Sequence, residues 1–434
     1  MPKMRGWVLS SIAGGLLASG GLYACATSED TATSTSDDPD GSGPTVDAAR
    51  DTARADSGST TEEDSGTKTD SGKDASVDAP IDAPKDVFEA GPSPFDEAGT
   101  FMVVRVGAVG GGALSSSSAA AFVEERRWSN GSVAQTIAMP TAAAAPQRAF
   151  TLRGTGTTEG SLSRTGDGAF VVLAGYDAPP GTASVDETPS ATTARVVARV
   201  SKAGAVDTST ALASAFDAVS PRAAASADGL AFWVSGASGV GATGGIYYAP
   251  LGMDGVQIFD TPGNLRVVHV FGGQLYATTQ SGGANTLRMF SVGTGMPTTA
   301  GQTGTQLPGI PDSTPTPHGF AMLDLDAAVA GVDTLYVADT RALTAGGGIQ
   351  KWKLNAAGTW ALAATFKTGL TAAPINVTAK QLAATTAAVV CVTTDNPSKI
   401  VRFLDDGVAT NPTGTTVGTA SANTQFRGVA ITPE

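Results

Sequence analysis

Two cysteines and two histidines are all that the 434 residues contain. So small a supply excludes a disulfide framework and a histidine-rich metal centre. Cys391 lies inside the apolar run AAVVCVTT, the setting of a small buried hydrophobe, and neither His269 nor His318 is near it in sequence to make a catalytic thiol. His269 alternates with Val267 and Phe271 and reads as a core histidine. No GxSxG elbow, phosphate loop ending in Gly-Lys-Ser/Thr, HExxH or paired CxxC occurs. The single GxGxxG, Gly239 to Gly244, leads into the strand-like GIYYAP rather than a helix and reads as a loop. Clustered Lys and Arg are also missing, which argues against a nucleic-acid partner. Only Arg126 and Arg127 adjoin, and they read as a solvated strand face. No segment has a convincing helical period, and even Ala119 to Arg126 reads as a strand in its context.

The charge that is present lies mostly in one segment. Residues 26–98 carry 19 acidic against 5 basic side chains, whereas residues 99–434 are nearly balanced, 21 against 20. Ahead of the acidic segment, Lys3 and Arg5 precede an uncharged stretch from Gly6 to Ala24, the layout of a secretory signal over residues 1–25. Its end, Leu22, Tyr23, Ala24, Cys25, is similar to a bacterial lipobox with Tyr where a small residue is usual. The resemblance implies lipidation of Cys25; the alternative is simple cleavage and release, since Ala24, Cys25, Ala26 also fits an A-x-A site. Residues 26–98, rich in Asp, Ser, Thr, Ala and Pro, cannot bury enough apolar surface to order and are expected to form a disordered linker. A chain of that kind spans about 45 to 50 Å when relaxed, more when like charges stretch it.

Residues 99–434 form the expected folded domain, and their pattern repeats. An innermost-strand candidate recurs as GSLSRTGDG from Gly160, PRAAASADG from Pro221, LRVVHVFGG from Leu265, GFAMLDLDA from Gly319 and INVTAKQLA from Ile375, starts about 50 residues apart. Apolar second strands follow, such as FVVLAGYD and LYVADTRA, then third strands closing on Gly-containing turns. Three strands from Phe101 to Pro140 lack an innermost one, and the final FRGVAITPE supplies only that. Pairing the last strand with the first removes the exposed edges. The expectation is an all-β, six-bladed β-propeller, with seven blades as the alternative.

The stretch LYVADTRALTAGGGIQKWKL, residues 335–354, resembles an NHL-type repeat. Segments including NLRVVHVFGGQLYATT and NTQFRGVAITP resemble a family of extracellular bacterial propellers across residues 100–434. That resemblance implies the fold and carries over no activity or catalytic residues.

In a propeller, loops after second strands and loops entering first strands share one face. Second strands end near Asp177, Gln280, Asp339 and Asp395, with Arg341 and Asn396 just beyond and His318 entering an innermost strand. Carboxylates gathered there could coordinate Ca²⁺ through oxygen or meet a sugar's hydroxyls, and each Asp could equally cap its own turn. Asp324 and Asp326, read as sharing one face of a central strand, form a weaker pair. Three function classes follow. The first is a monomeric binding module of the cell envelope, outer membrane favoured, for a protein, glycan or peptide. The second is a Ca²⁺-dependent hydrolase or lactonase, and the third a quinone-type redox propeller.

Overall fold

The computed structural model describes residues 93–281 and 287–434. The expected signal, Cys25 and the linker to residue 92 lie outside the described residues. Strands β1 (Thr100–Val106), β2 (Ser118–Arg127) and β3 (Val133–Ala138) come first, followed by the short β4 (Thr151–Arg153). Next are β5 (Ser163–Arg164), β6 (Phe170–Tyr176), β7 (Arg195–Ser201) and β8 (Val206–Leu212). They are succeeded by β9 (Pro221–Ala225), β10 (Ala231–Gly236), β11 (Gly245–Pro250) and β12 (Val256–Phe259). Then come β13 (Val268–Phe271), β14 (Gln274–Thr278), β15 (Met289–Val292) and β16 (Gly304–Gln306). The last two quartets are β17 (Pro317–Leu323), β18 (Thr334–Asp339), β19 (Gly348–Leu354) and β20 (Trp360–Phe366), and β21 (Pro374–Ala383), β22 (Thr386–Thr393), β23 (Lys399–Asp405) and β24 (Thr415–Thr419). β25 (Gln425–Ile431) ends the chain.

All pairings are antiparallel, and four quartets, β9–β12, β13–β16, β17–β20 and β21–β24, are separate four-stranded sheets. The first two quartets are not separate, contrary to the expectation of independent blades. One run is β25-β1-β2-β3 and the other is β5-β6-β7-β8, and β4 joins them into one nine-stranded sheet by pairing with both β2 and β6. The terminal strands meet as expected, Phe101 opposite Ile431 and Val106 opposite Gln425.

The sheets pack face to face, which explains why their middle strands are apolar without alternation. TLYVAD of β18 is buried at every position and TAAVVCVT of β22 at all but the first, because each face meets a neighbouring sheet. The outermost β3 and β24 are mostly exposed. One core cluster joins β1, β2 and β25 to β6 and β7, a second joins β6 and β7 to β10 and β11, and further clusters continue through β13–β23. The cycle returns where Val390, Val392 and Ile400 pack on Phe101, Val103 and Phe426. This is a β-propeller arrangement of antiparallel sheets. Phe95 and Ala98, ahead of β1, are already part of the core.

Residues 119–126 lie within β2. Arg126 is not on a solvated face, since it binds Glu124 at 2.6 Å and lies over the Phe426 ring; only Arg127 is exposed. The GxGxxG segment is a loop with a single 3-10 turn, Val240–Ala242, running into β11. The following Gly245 must be glycine: its φ is +87°, and a Cβ would lie 1.8 Å from the Phe259 carbonyl oxygen. Cys391 is fully buried, and burial raises its thiol pKa. His269 is partly buried on an inner strand, packed between Phe271 and Phe320, each ring 5.2 Å away.

Candidate functional site

The face where second strands end brings some of the expected residues together and separates others. Gln280, just after β14, accepts from Arg266 Nε at 2.9 Å and donates to Thr340 Oγ1 at 3.0 Å. Asp339 is wholly buried and saturated, accepting from the Thr316 and Arg341 backbone N–H groups, the Arg341 guanidinium at 2.6 Å and Gln350 Nε2 at 2.9 Å. Gln280, Asp339, Arg341 and the entry to β17 therefore form one network between neighbouring sheets. Asp395 is held by Thr371 Oγ1 at 2.9 Å and Thr393 Oγ1 at 2.7 Å, and Asn396 accepts from Gln425. Asp177 stands apart, bound by Arg148 and the Ala149 backbone. Asp324 and Asp326 are not on a central strand: β17 stops at Leu323, and both are exposed in the turn at the opposite end of that strand from His318. Among the described residues no three His, Cys, Asp or Glu side chains gather as a metal-binding group.

A different set recurs from sheet to sheet. Ser161, Arg222, Arg266, His318, Asn376 and Arg427 occupy corresponding positions at the start of the six innermost segments, those leading into or lying in β5, β9, β13, β17, β21 and β25. Five of them are at most 8% exposed, and Arg266 is half-buried. Members of the set touch: Ser161 Oγ donates to Asn376 Oδ1 at 2.8 Å, the Ser161 backbone N–H donates to the Arg222 carbonyl at 3.1 Å, and Asn376 Nδ2 donates to the Arg427 carbonyl at 3.4 Å.

Burial dominates the electrostatics here. It pushes Arg222 down to about 9, with the Arg266 charge adding to the shift, and Arg427 down to about 10. His318 falls well below the usual histidine range through burial, then through Arg266 and Arg222; the nearby Ile375 backbone pulls the other way without closing a hydrogen bond. Glu159, just before Ser161, is pushed up by burial although Ser220, Tyr176 and the Arg153 backbone N–H donate to it.

Sequence reading named only His318 from this set. The signal was present in the aligned repeats, where Ser161, Arg222, Arg266, Asn376 and Arg427 fall in one column. Starting the fourth repeat at Gly319 instead of Pro317 moved His318 out of that column.

A cavity of about 640 Å³ opens beside this cluster. The β1–β2, β22–β23 and β24–β25 loops and the segment after β4 line it, with Asp395 and Asn396 on its wall and Ile375 and Arg427 at its inner side. At the other end of the same inner strands a cavity of about 260 Å³ is walled by His269, Phe271, Phe320, Val377 and Val429 with Arg164.

No protein-family model matches the sequence, and no curated protein does. Solved structures with a similar fold include a nidogen/laminin complex, at 16% identity over 77% of this chain and 98% of that one, TM-score 0.44. TolB from Acinetobacter baumannii is 12% identical over 79% of this chain and 68% of its own, TM-score 0.43. AztD from Citrobacter koseri is 8% identical over 76% and 97%, TM-score 0.32. With identities and scores this low, none of these likenesses bears on function.

Proposed function

We propose that the protein is a six-bladed binding module of the bacterial cell envelope, carried outward by its signal and held through lipid on Cys25 by the acidic linker. The blade count treats β25-β1-β2-β3 and β5-β6-β7-β8 as two blades bridged by β4, which gives six quartets with the four separate sheets. The observation that carries the binding reading is the 640 Å³ cavity, whose wall comes from four loop segments and whose size suits a small ligand or a peptide end. Asp177, Asp339 and Asp395 already accept hydrogen bonds from the protein, so the reading does not rest on them as oxygen ligands.

The test is a thermal-shift and calorimetric screen of glycans, peptides and small metabolites on the full chain and on Ala422→Trp, which places an indole in the exposed cavity rim. Ligands that raise the melting temperature of the parent and not of the variant support the reading. A screen whose hits act equally on both proteins, or that yields none, removes it. Detergent-phase partitioning of the parent and of Cys25→Ala separately tests the lipid anchor.

A further inference from the structure

We propose that the polar end of the central channel is an oxyanion site, in which Arg222, Arg266, Arg427 and His318 receive the carboxylate or phosphate of a ligand entering from the adjoining cavity. The inference rests on the binding reading and supplies its ligand chemistry.

The premise is a contrast in how this protein handles buried charge. Arg105 meets Glu124 at 2.5 Å, and Lys351 meets Asp405 at 2.5 Å. Arg195, fully buried without a carboxylate, spends its guanidinium on the carbonyls of Thr188, Thr193, Phe216 and Val219. The channel arginines have neither solution. Among the described residues none of Arg222, Arg266 and Arg427 has a carboxylate within salt-bridge distance. Their protein partners are few and neutral: Asn264 and the Leu265 carbonyl for Arg222, Gln280 for Arg266, and the Gly154 carbonyl for Arg427.

Donors are left over at the same place. Arg222 Nε, Arg427 Nε and both ring nitrogens of His318 are buried with no hydrogen-bond partner. A buried unpaired donor is costly, and like charges brought together out of water add repulsion. Glu159 is the acidic group nearest in charge terms to Arg222 and Arg427, yet its carboxylate is taken by Ser220, Tyr176 and Arg153, and burial favours its neutral form. An oxyanion is the ligand whose chemistry answers such groups. It accepts from the forked guanidinium N–H groups and from an imidazole N–H, and its charge offsets the guanidinium repulsion. The route in is the 640 Å³ cavity, on whose wall Arg427 already lies.

The experiment titrates the full chain with sodium phosphate and, separately, sodium acetate, each against sodium chloride at matched ionic strength, by melting temperature and calorimetry. The same is done with Arg222→Gln and Arg427→Gln, and with the half-buried Arg266→Gln should either fail to fold. The expected result is a saturable rise in melting temperature with at least one oxyanion, none with chloride, and at least tenfold weaker binding in each variant. Response to phosphate alone, to acetate alone or to both identifies the ligand's acid group. No response beyond chloride, or equal response in parent and variants, overturns the proposal. If that happens while cavity ligands still distinguish the parent from Ala422→Trp, the binding module stands and only its anionic ligand is lost.

Discussion

Replacing Asp405 with Ala should destabilise the protein more than removing any single exposed charge. Asp405 ends β23 with no exposure and accepts from Tyr336 Oη at 2.5 Å, from Lys351 Nζ at 2.5 Å and from the Gly407 backbone N–H at 2.9 Å. Tyr336 is on β18 and Lys351 on β19, so the carboxylate ties one sheet to the next. Burial, then the Asp405 charge, raises the Tyr336 pKa, so the hydroxyl stays a donor throughout the accessible pH range. Stranding one charge of a buried pair costs about 3–5 kcal/mol. The orphaned Tyr336 hydroxyl adds about 1 kcal/mol, for a total of roughly 4–6 kcal/mol. For a domain of about 340 residues, at ~2.1 cal/mol/K per residue, that lowers the melting temperature by roughly 6–8 °C. Denaturant unfolding of Asp405→Ala, Lys351→Met and the double variant Lys351→Met/Asp405→Ala measures it. Each single change should cost at least about 3 kcal/mol, and the double variant should cost clearly less than the sum of its parts. Single changes within about 1 kcal/mol of the parent, or strict additivity, would refute an inter-sheet ion pair.

Arg195→Lys keeps the charge but cannot reach the carbonyls that the guanidinium joins, so it should cost at least about 3 kcal/mol and expose the 184–194 segment to protease first; protection equal to the parent's would count against the role. Phe95→Ala removes a ring that Arg402 covers at 4.1 Å from its centroid and that packs in the core. The expected loss is about 3 kcal/mol by chemical denaturation, and an unchanged midpoint would mean that the segment before β1 adds nothing. Burial lowers His269 to about 4. The unfolded chain therefore takes up a proton below about 6.5 that the folded chain refuses, and stability should fall as pH drops from about 6.5 to about 4. His269→Gln should flatten that slope by up to about 1.4 kcal/mol per pH unit, and identical profiles for the two proteins would contradict it.

The strands were legible where burial on both faces leaves the composition no freedom. FVVLAGY, TLYVAD and AAVVCVT admit no polar alternation because a neighbouring sheet covers each side, so an apolar run between turn-forming segments sufficed to locate β6, β18 and β22. The pairing of FRGVAI with FMVVRV followed from an unmatched strand at each terminus. β4 was not legible: three residues, TLR, carry no period, and their role as a bridge between β2 and β6 depends on where the chain returns in space.

The site was harder to read because the expectation followed charge type rather than repeat position. Aspartates at strand ends stood out as oxygen ligands, yet a carboxylate beside free backbone N–H groups and hydroxyls is quickly taken by them, as Asp339 and Asp395 show. An arginine inside an apolar strand drew no notice in any one repeat. Arg222, Arg266 and Arg427 become informative only when the repeats are superposed, because repetition sets one sequence position at the same place in one sheet after another. Single side chains of modest interest then form a shared electrostatic environment, visible in Arg266 depressing both Arg222 and His318. In a repeat of this kind, the column is the unit in which chemistry should be sought, because a position that is unremarkable in one repeat becomes a pattern when it is polar in all of them.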